Sequence, residues 1–149
     1  MPDDTQPEDT QSDVAQPRTE LFDSLYAEGM AVRRAVLGDA HVDRSLAAAD
    51  DFTGEFQEFI TRHAWGAVWT RPDLGRRERS MITVALLAGL GRAEELPLHV
   101  RGALRNGVST QEIREVLLHT AVYAGAPAAN TAFAVARRTL DEIAREEDP

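Results

Sequence analysis

Two glutamate and histidine pairs stand at a spacing that chemistry can use: Glu95 with His99, and Glu115 with His119, each four residues apart. Residues four apart on a helix share a face, so each carboxylate can hold its imidazole in one tautomer and raise its basicity. That arrangement suits general acid or base catalysis. Half of a metal site is the competing use, but carboxylate di-metal bundles set glutamate and histidine three apart. The surroundings separate the two pairs. His119 lies among Leu117, Leu118 and Val122 and reads first as a core or interface histidine, whereas Glu94, Glu95 and Arg101 crowd the segment around His99.

A second constellation fills residues 52–78, FTGEFQEFITRHAWGAVWTRPDLGRRE, where His63, Trp65, Trp69, Arg62 and Arg71 fall around one apolar turn. Trp65 and Trp69 share a helix face at their spacing of four. Large apolar walls with a few convergent cations fit a small anionic ligand. The same residues also fit an aromatic core anchor beside a solvated arginine face, and the segment alone leaves both open.

Two absences narrow the chemistry further. The chain has no cysteine, which excludes a thiol nucleophile, a redox pair and a cysteine metal site. It has no lysine either, which excludes a lysine Schiff base; all 16 Lys and Arg positions are arginine, a planar donor that stays charged and matches carboxylates.

These side chains need elements to position them, and 149 residues with 43% apolar composition suit one domain with a sizeable core. Residues 1–19 are rich in Asp, Gln, Pro and Thr and read as a disordered acidic tail, leaving 20–149 as a single helical domain. Residues 1–20 hold six acids against Arg18 alone and so supply −5 of the net charge of −9, leaving a mildly acidic remainder that argues against nucleic-acid binding. No apolar run approaches a membrane span and the N-terminus has no secretory pattern, so the expected location is the cytoplasm.

Thr19 is a plausible N-cap for a first helix ending at Gly38. Helix then continues from His41 to Gly66 with a break near Gly54, and the stripe Phe56, Phe59, Ile60, His63 predicts a core face. Residues 70–75 form a turn. RRERSMITVALLAGLG follows as a central helix, apolar all round in its later half. Pro97 is tolerated near the start of the next helix, Asn106-Gly107 ends it, and Ser109 with Glu112 makes a capping box for the one after. That helix stops at Gly125, and Pro127 opens a last amphipathic helix. No strand pattern or dinucleotide glycine fingerprint appears, and the class is all-α.

AVRRAVLGDAHVDR, GEFQEFITRHAWGAVWTRP, EELPLHVRGALRNGVS and EIREVLLHTAVYAGAPAANTAF together resemble the 4-carboxymuconolactone decarboxylases of the protocatechuate branch of the β-ketoadipate pathway. The resemblance covers about residues 26–136. It implies a compact AhpD-like helical subunit, a ring-shaped homo-oligomer such as a trimer or hexamer, and loss of CO2 with no metal or organic cofactor. The wider superfamily holds AhpD-like alkylhydroperoxidases with a Cys-x-x-Cys-x-x-x-His motif. Setting His99 on that histidine puts Arg92 and Glu95 at the cysteine positions and Ser80 at an upstream glutamate, so a thiol peroxidase is disfavoured.

The substrate so implied, a small anionic lactone, is its own electron sink. The electron pair released with CO2 delocalises through the ring double bond to the lactone carbonyl. The enzyme then needs donors for the developing oxyanion, a grip on the remaining acetate arm, an apolar wall and an acid. On this reading Arg71 and Arg79, with Arg33 as a third candidate, hold carboxylates. Trp65 and Trp69 form the wall. His99, oriented by Glu95, delivers the proton, and His63 is an oxyanion donor or alternative acid. Arg33 has a structural alternative in an ion pair with Asp39 or Asp43, and Arg76 and Arg77 read as surface residues. A non-catalytic helical binding or regulatory module is the alternative function.

Overall fold

Glycine, proline and one capping box set where the helices stop and start. The computed structural model describes residues 12–147, and these form seven α-helices and one π-helical turn, with no strand among the described residues. In chain order they are α1 (Ser12–Leu37), α2 (Asp39–Ala47), α3 (Gly54–Ile60), the π-turn (Thr61–Gly66), α4 (Arg76–Gly89), α5 (Leu96–Arg105), α6 (Thr110–Ala124) and α7 (Ala126–Glu147). Gly38 separates α1 from α2 with a φ of 87°, a left-handed conformation that glycine adopts without a Cβ penalty. At the start of α6 the Ser109 hydroxyl accepts the Glu112 N–H at 3.2 Å, while the Glu112 carboxylate accepts the Ser109 N–H at 2.9 Å. Pro97 sits in the first turn of α5, where its missing N–H costs nothing.

The core has two parts. Val84, Leu96, Val100, Ile113 and Leu117, with alanines of α7, join α4, α5, α6 and α7. Val32, Val36, Leu37, Val42 and Trp65 join α1, α2 and the π-turn, with Leu98 of α5 packed against them. Each such side chain contributes roughly 1.5–3 kcal/mol by leaving water. α5 touches both parts and carries His99.

Several expectations change. Helix α1 starts at Ser12, so residues 12–19 are helical rather than a tail and Thr19 lies inside the helix rather than capping it; residues 1–11 of the expected tail lie outside the described residues. The break expected near Gly54 is present, over residues 48–53, but the last turn of that stretch is π-helical rather than α-helical. Of the Phe56, Phe59, Ile60, His63 stripe, Ile60 alone packs against the core: Phe56 is 59% exposed, Phe59 is 54% exposed and His63 is also exposed. Helix α4 is central through Val84 and Ala88, yet Ile82, Leu86 and Leu90 face outward, so its apolar ring is buried on one side only.

Candidate functional site

The site begins where α1 crosses the π-turn backbone to backbone. A Cβ on Gly66 would collide with the Leu25 carbonyl oxygen, and one on Gly29 with the Thr61 carbonyl oxygen. Only glycine permits this approach, and it presses the next turn of α1 against α3 and the π-turn. Arg33 therefore lies 5% exposed, donating to the Thr61 hydroxyl at 3.0 Å and to the Gln57 side-chain oxygen at 2.7 Å. Its Nε is buried without a partner. No carboxylate among the described residues pairs with it. Asp39 and Asp43 instead pair with the neighbouring Arg34, at 3.1 and 2.8 Å. Burial pushes the Arg33 pKa down, but a guanidinium remains charged at any working pH. An unneutralised buried cation is costly, and an arriving anion would lower that cost.

Within reach of the Arg33 charge, α2 and α5 border an open cavity of about 500 Å3 whose wall includes His41, Arg44, Glu94, Arg101 and Arg105. That is the size of a small-ligand site. Arg105 donates to the Val36 carbonyl at 3.2 Å, and Arg44 makes no side-chain hydrogen bond or ion pair among the described residues. Arg101 is engaged: Glu146 holds it at 2.8 and 3.0 Å and Glu142 at 3.5 Å. The half-buried His41 ring has the Ser45 hydroxyl 3.4 Å from its Nε2. Burial lowers its pKa, and the charges of Arg44, Arg33 and Arg105 lower it further, against Glu95, which raises it. His99 is also lowered by burial, opposed by Glu95, with His41 lowering it again. Thus His41, His99, Glu95 and Arg33 share one field. Glu95 is exposed and makes no side-chain hydrogen bond to His99, so it acts by charge rather than by fixing the tautomer.

The other expected residues lie elsewhere or play other parts. Trp65 and Trp69 stack at 4.9 Å between ring centroids, with Trp65 buried in the α1–α2 core and Trp69 half-buried on it. His63 leans on Phe59 in solvent, with centroids 4.4 Å apart. Arg71 is exposed, 4.0 Å from Asp73. Arg79 reaches the Leu74 carbonyl at 3.1 Å and the Arg71 carbonyl at 3.4 Å, which ties the loop before α4. In the second glutamate and histidine pair, Glu115 pairs with Arg114 and the exposed His119 packs on Tyr123, 4.8 Å between centroids. Among the described residues no group of three or more His, Asp or Glu is placed to hold a metal. His41, Arg44, Arg105, Gln57 and Thr61 were missed in the sequence. The available signal was Gly38, which turns α2 back toward α5, with His41 and Arg44 three apart on one helical face.

A family model described as the carboxymuconolactone decarboxylase family matches residues 54–138. The chain is 47% identical over 118 residues to the 4-carboxymuconolactone decarboxylase of Acinetobacter baylyi, covering 79% of this chain and 88% of that protein. It is 46% identical over 124 residues to the nitrosuccinic acid decarboxylase of Metarhizium robertsii, covering 83% of this chain and 87% of that protein. A 4-carboxymuconolactone decarboxylase of Pseudomonas putida is 73% identical over 41 residues, which is 28% of this chain and 85% of that protein.

Proposed function

The chain belongs to the carboxymuconolactone decarboxylase family, and from that premise we propose that it converts 4-carboxymuconolactone to β-ketoadipate enol-lactone and CO2. The observation that carries this reading is the 47% identity, over most of both chains, to a protein named for that reaction. The bond between the γ carbon and its carboxylate carbon breaks, CO2 leaves, and the electron pair passes through the ring double bond to the lactone oxygen. Protonation of the carbon α to the carbonyl restores the lactone. The uncompensated Arg33 charge favours the negative charge that develops on the ring, acting through a poorly solvated interior. His99, under the charge of Glu95, supplies the proton, and Trp65 with Trp69 shields the apolar side. Arg71 and Arg79 act indirectly, through the loop that Arg79 ties; His63 takes no part. Subunits join through apolar faces into a ring-shaped homo-oligomer.

A second substrate has a specific observation in its favour, the similarly close relative named for nitrosuccinic acid. There the nitro group replaces the lactone as electron sink. Incubating the protein with each acid separately and following CO2 release decides between them. Rapid release from the lactone and slow or no release from nitrosuccinate is the expected result, and the reverse would exchange the substrates.

A further inference from the structure

The two candidate acids share one piece beyond the carboxylate that leaves: a CH2–COO⁻ arm on the same carbon, which survives the reaction. Their electron sinks differ. A scaffold that serves both chemistries therefore needs an anchor for that arm, set apart from the interior where charge moves. The anchor has to carry net positive charge, reach solvent, and lie beside the acid that protonates the product.

The cavity between α2 and α5 carries positive groups and opens to solvent, and the charge of its wall residue His41 reaches His99. Arg44 and Arg105 line it without a carboxylate partner among the described residues, while the chain as a whole carries a formal charge of −9. The charges facing the cavity are otherwise committed or opposed. Asp39 is tied to Arg34, Arg101 is tied to Glu142 and Glu146, and Glu94 is the one acid on the wall without an ion pair among the described residues. His41 sits on the same wall. We propose that this cavity is the subsite for the retained carboxymethyl carboxylate, held by the guanidinium groups of Arg44 and Arg105 with His41 as a third donor. The assignment rests on the decarboxylase reading for the identity of the ligand. Arg33, with almost no exposed surface, is left to the reacting carbon by its depth. A bound carboxylate beside His41 also opposes the arginine charges that, after burial, hold its pKa down, so that pKa rises as the arm arrives.

Succinate is a suitable unreactive probe, since it carries a carboxymethyl carboxylate and no electron sink. Imidazole proton signals are followed by NMR across pH, with His41 assigned from the His41→Gln spectrum. Succinate should raise the His41 titration midpoint, and succinamide should not. Arg44→Gln, which removes no hydrogen bond of the fold, should weaken succinate binding about tenfold or more, and Arg105→Lys should weaken it with the Val36 contact partly kept. In turnover the same variants should raise KM more than they lower kcat, the mark of binding shared by ground and transition states. Unchanged succinate affinity and unchanged KM in both variants would overturn the subsite even if the lactone is turned over normally. Succinate binding that is lost in Arg44→Gln, in a protein that decarboxylates neither acid, would keep the subsite and overturn the reaction.

Discussion

A neutral imidazole is a far weaker acid than an imidazolium, and burial holds both His41 and His99 below the ordinary value of 6.5. If His99 is the acid, kcat/KM must rise as pH falls through neutrality, because this ratio follows the protonation of the free enzyme. The inflection should lie below 6.5, the direction of the cited shift. His99→Ala should lose that inflection and slow turnover by about 10²-fold, the low end of general acid contributions. A pH–rate profile of both proteins checks this, and an unchanged profile in His99→Ala would pass the role to His41. At this scale the sequence was partly legible. The spacing of Glu95 and His99 marked two groups whose charges interact in the fold, since that relation is local. Whether Arg33 or Arg34 faces inward was not, because adjacent helical residues differ by about 100° and only the packing of α1 on the π-turn sets the rotation. The charge of His41 acts on His99 across 58 positions of chain, a relation that no helical period encodes.

The crossing of α1 and the π-turn is the element on which Arg33 depends. Gly66→Ala would drive a methyl group into the Leu25 carbonyl oxygen, so either α1 lifts or the turn shifts. A loss near the top of the roughly 1–3 kcal/mol usual for overpacking is expected, read as a lower urea midpoint. Activity should fall further than stability, because Thr61 and Gln57 move away from Arg33 in the fraction that stays folded. Helix ends were legible where one residue type decides them: Pro97, Asn106-Gly107, the Ser109 and Glu112 box, and Gly125 all stand where expected. Burial was less so. Periodicity finds an apolar face without saying what covers it, and the faces of Phe56 with Phe59 and of Ile82 with Leu86 read as core although the folded chain leaves them open.

For the whole molecule those open faces matter most. Leu86 of α4 and Leu90 just past its end, with His119 and Tyr123 of α6, line an apolar groove of about 400 Å3. Val122 and Tyr123 are 77% and 79% exposed. Contiguous apolar surface of this kind marks association sites, and symmetric self-association is the commonest way to cover it. Light scattering should give a mass several times that of one chain, and Leu86→Glu should reduce it while leaving helical content unchanged. A monomeric wild type would refute the assembly. The ion pairs from Arg101 to Glu142 and Glu146 carry a different consequence, for selectivity among the cell's anions. By occupying the third guanidinium on the cavity wall, the last turns of α7 hold the free positive charge there to two groups. Those two guanidinium groups less the Glu94 carboxylate leave one net positive charge, which matches a single carboxylate and falls short of a phosphate dianion, so inorganic phosphate should compete poorly for the cavity.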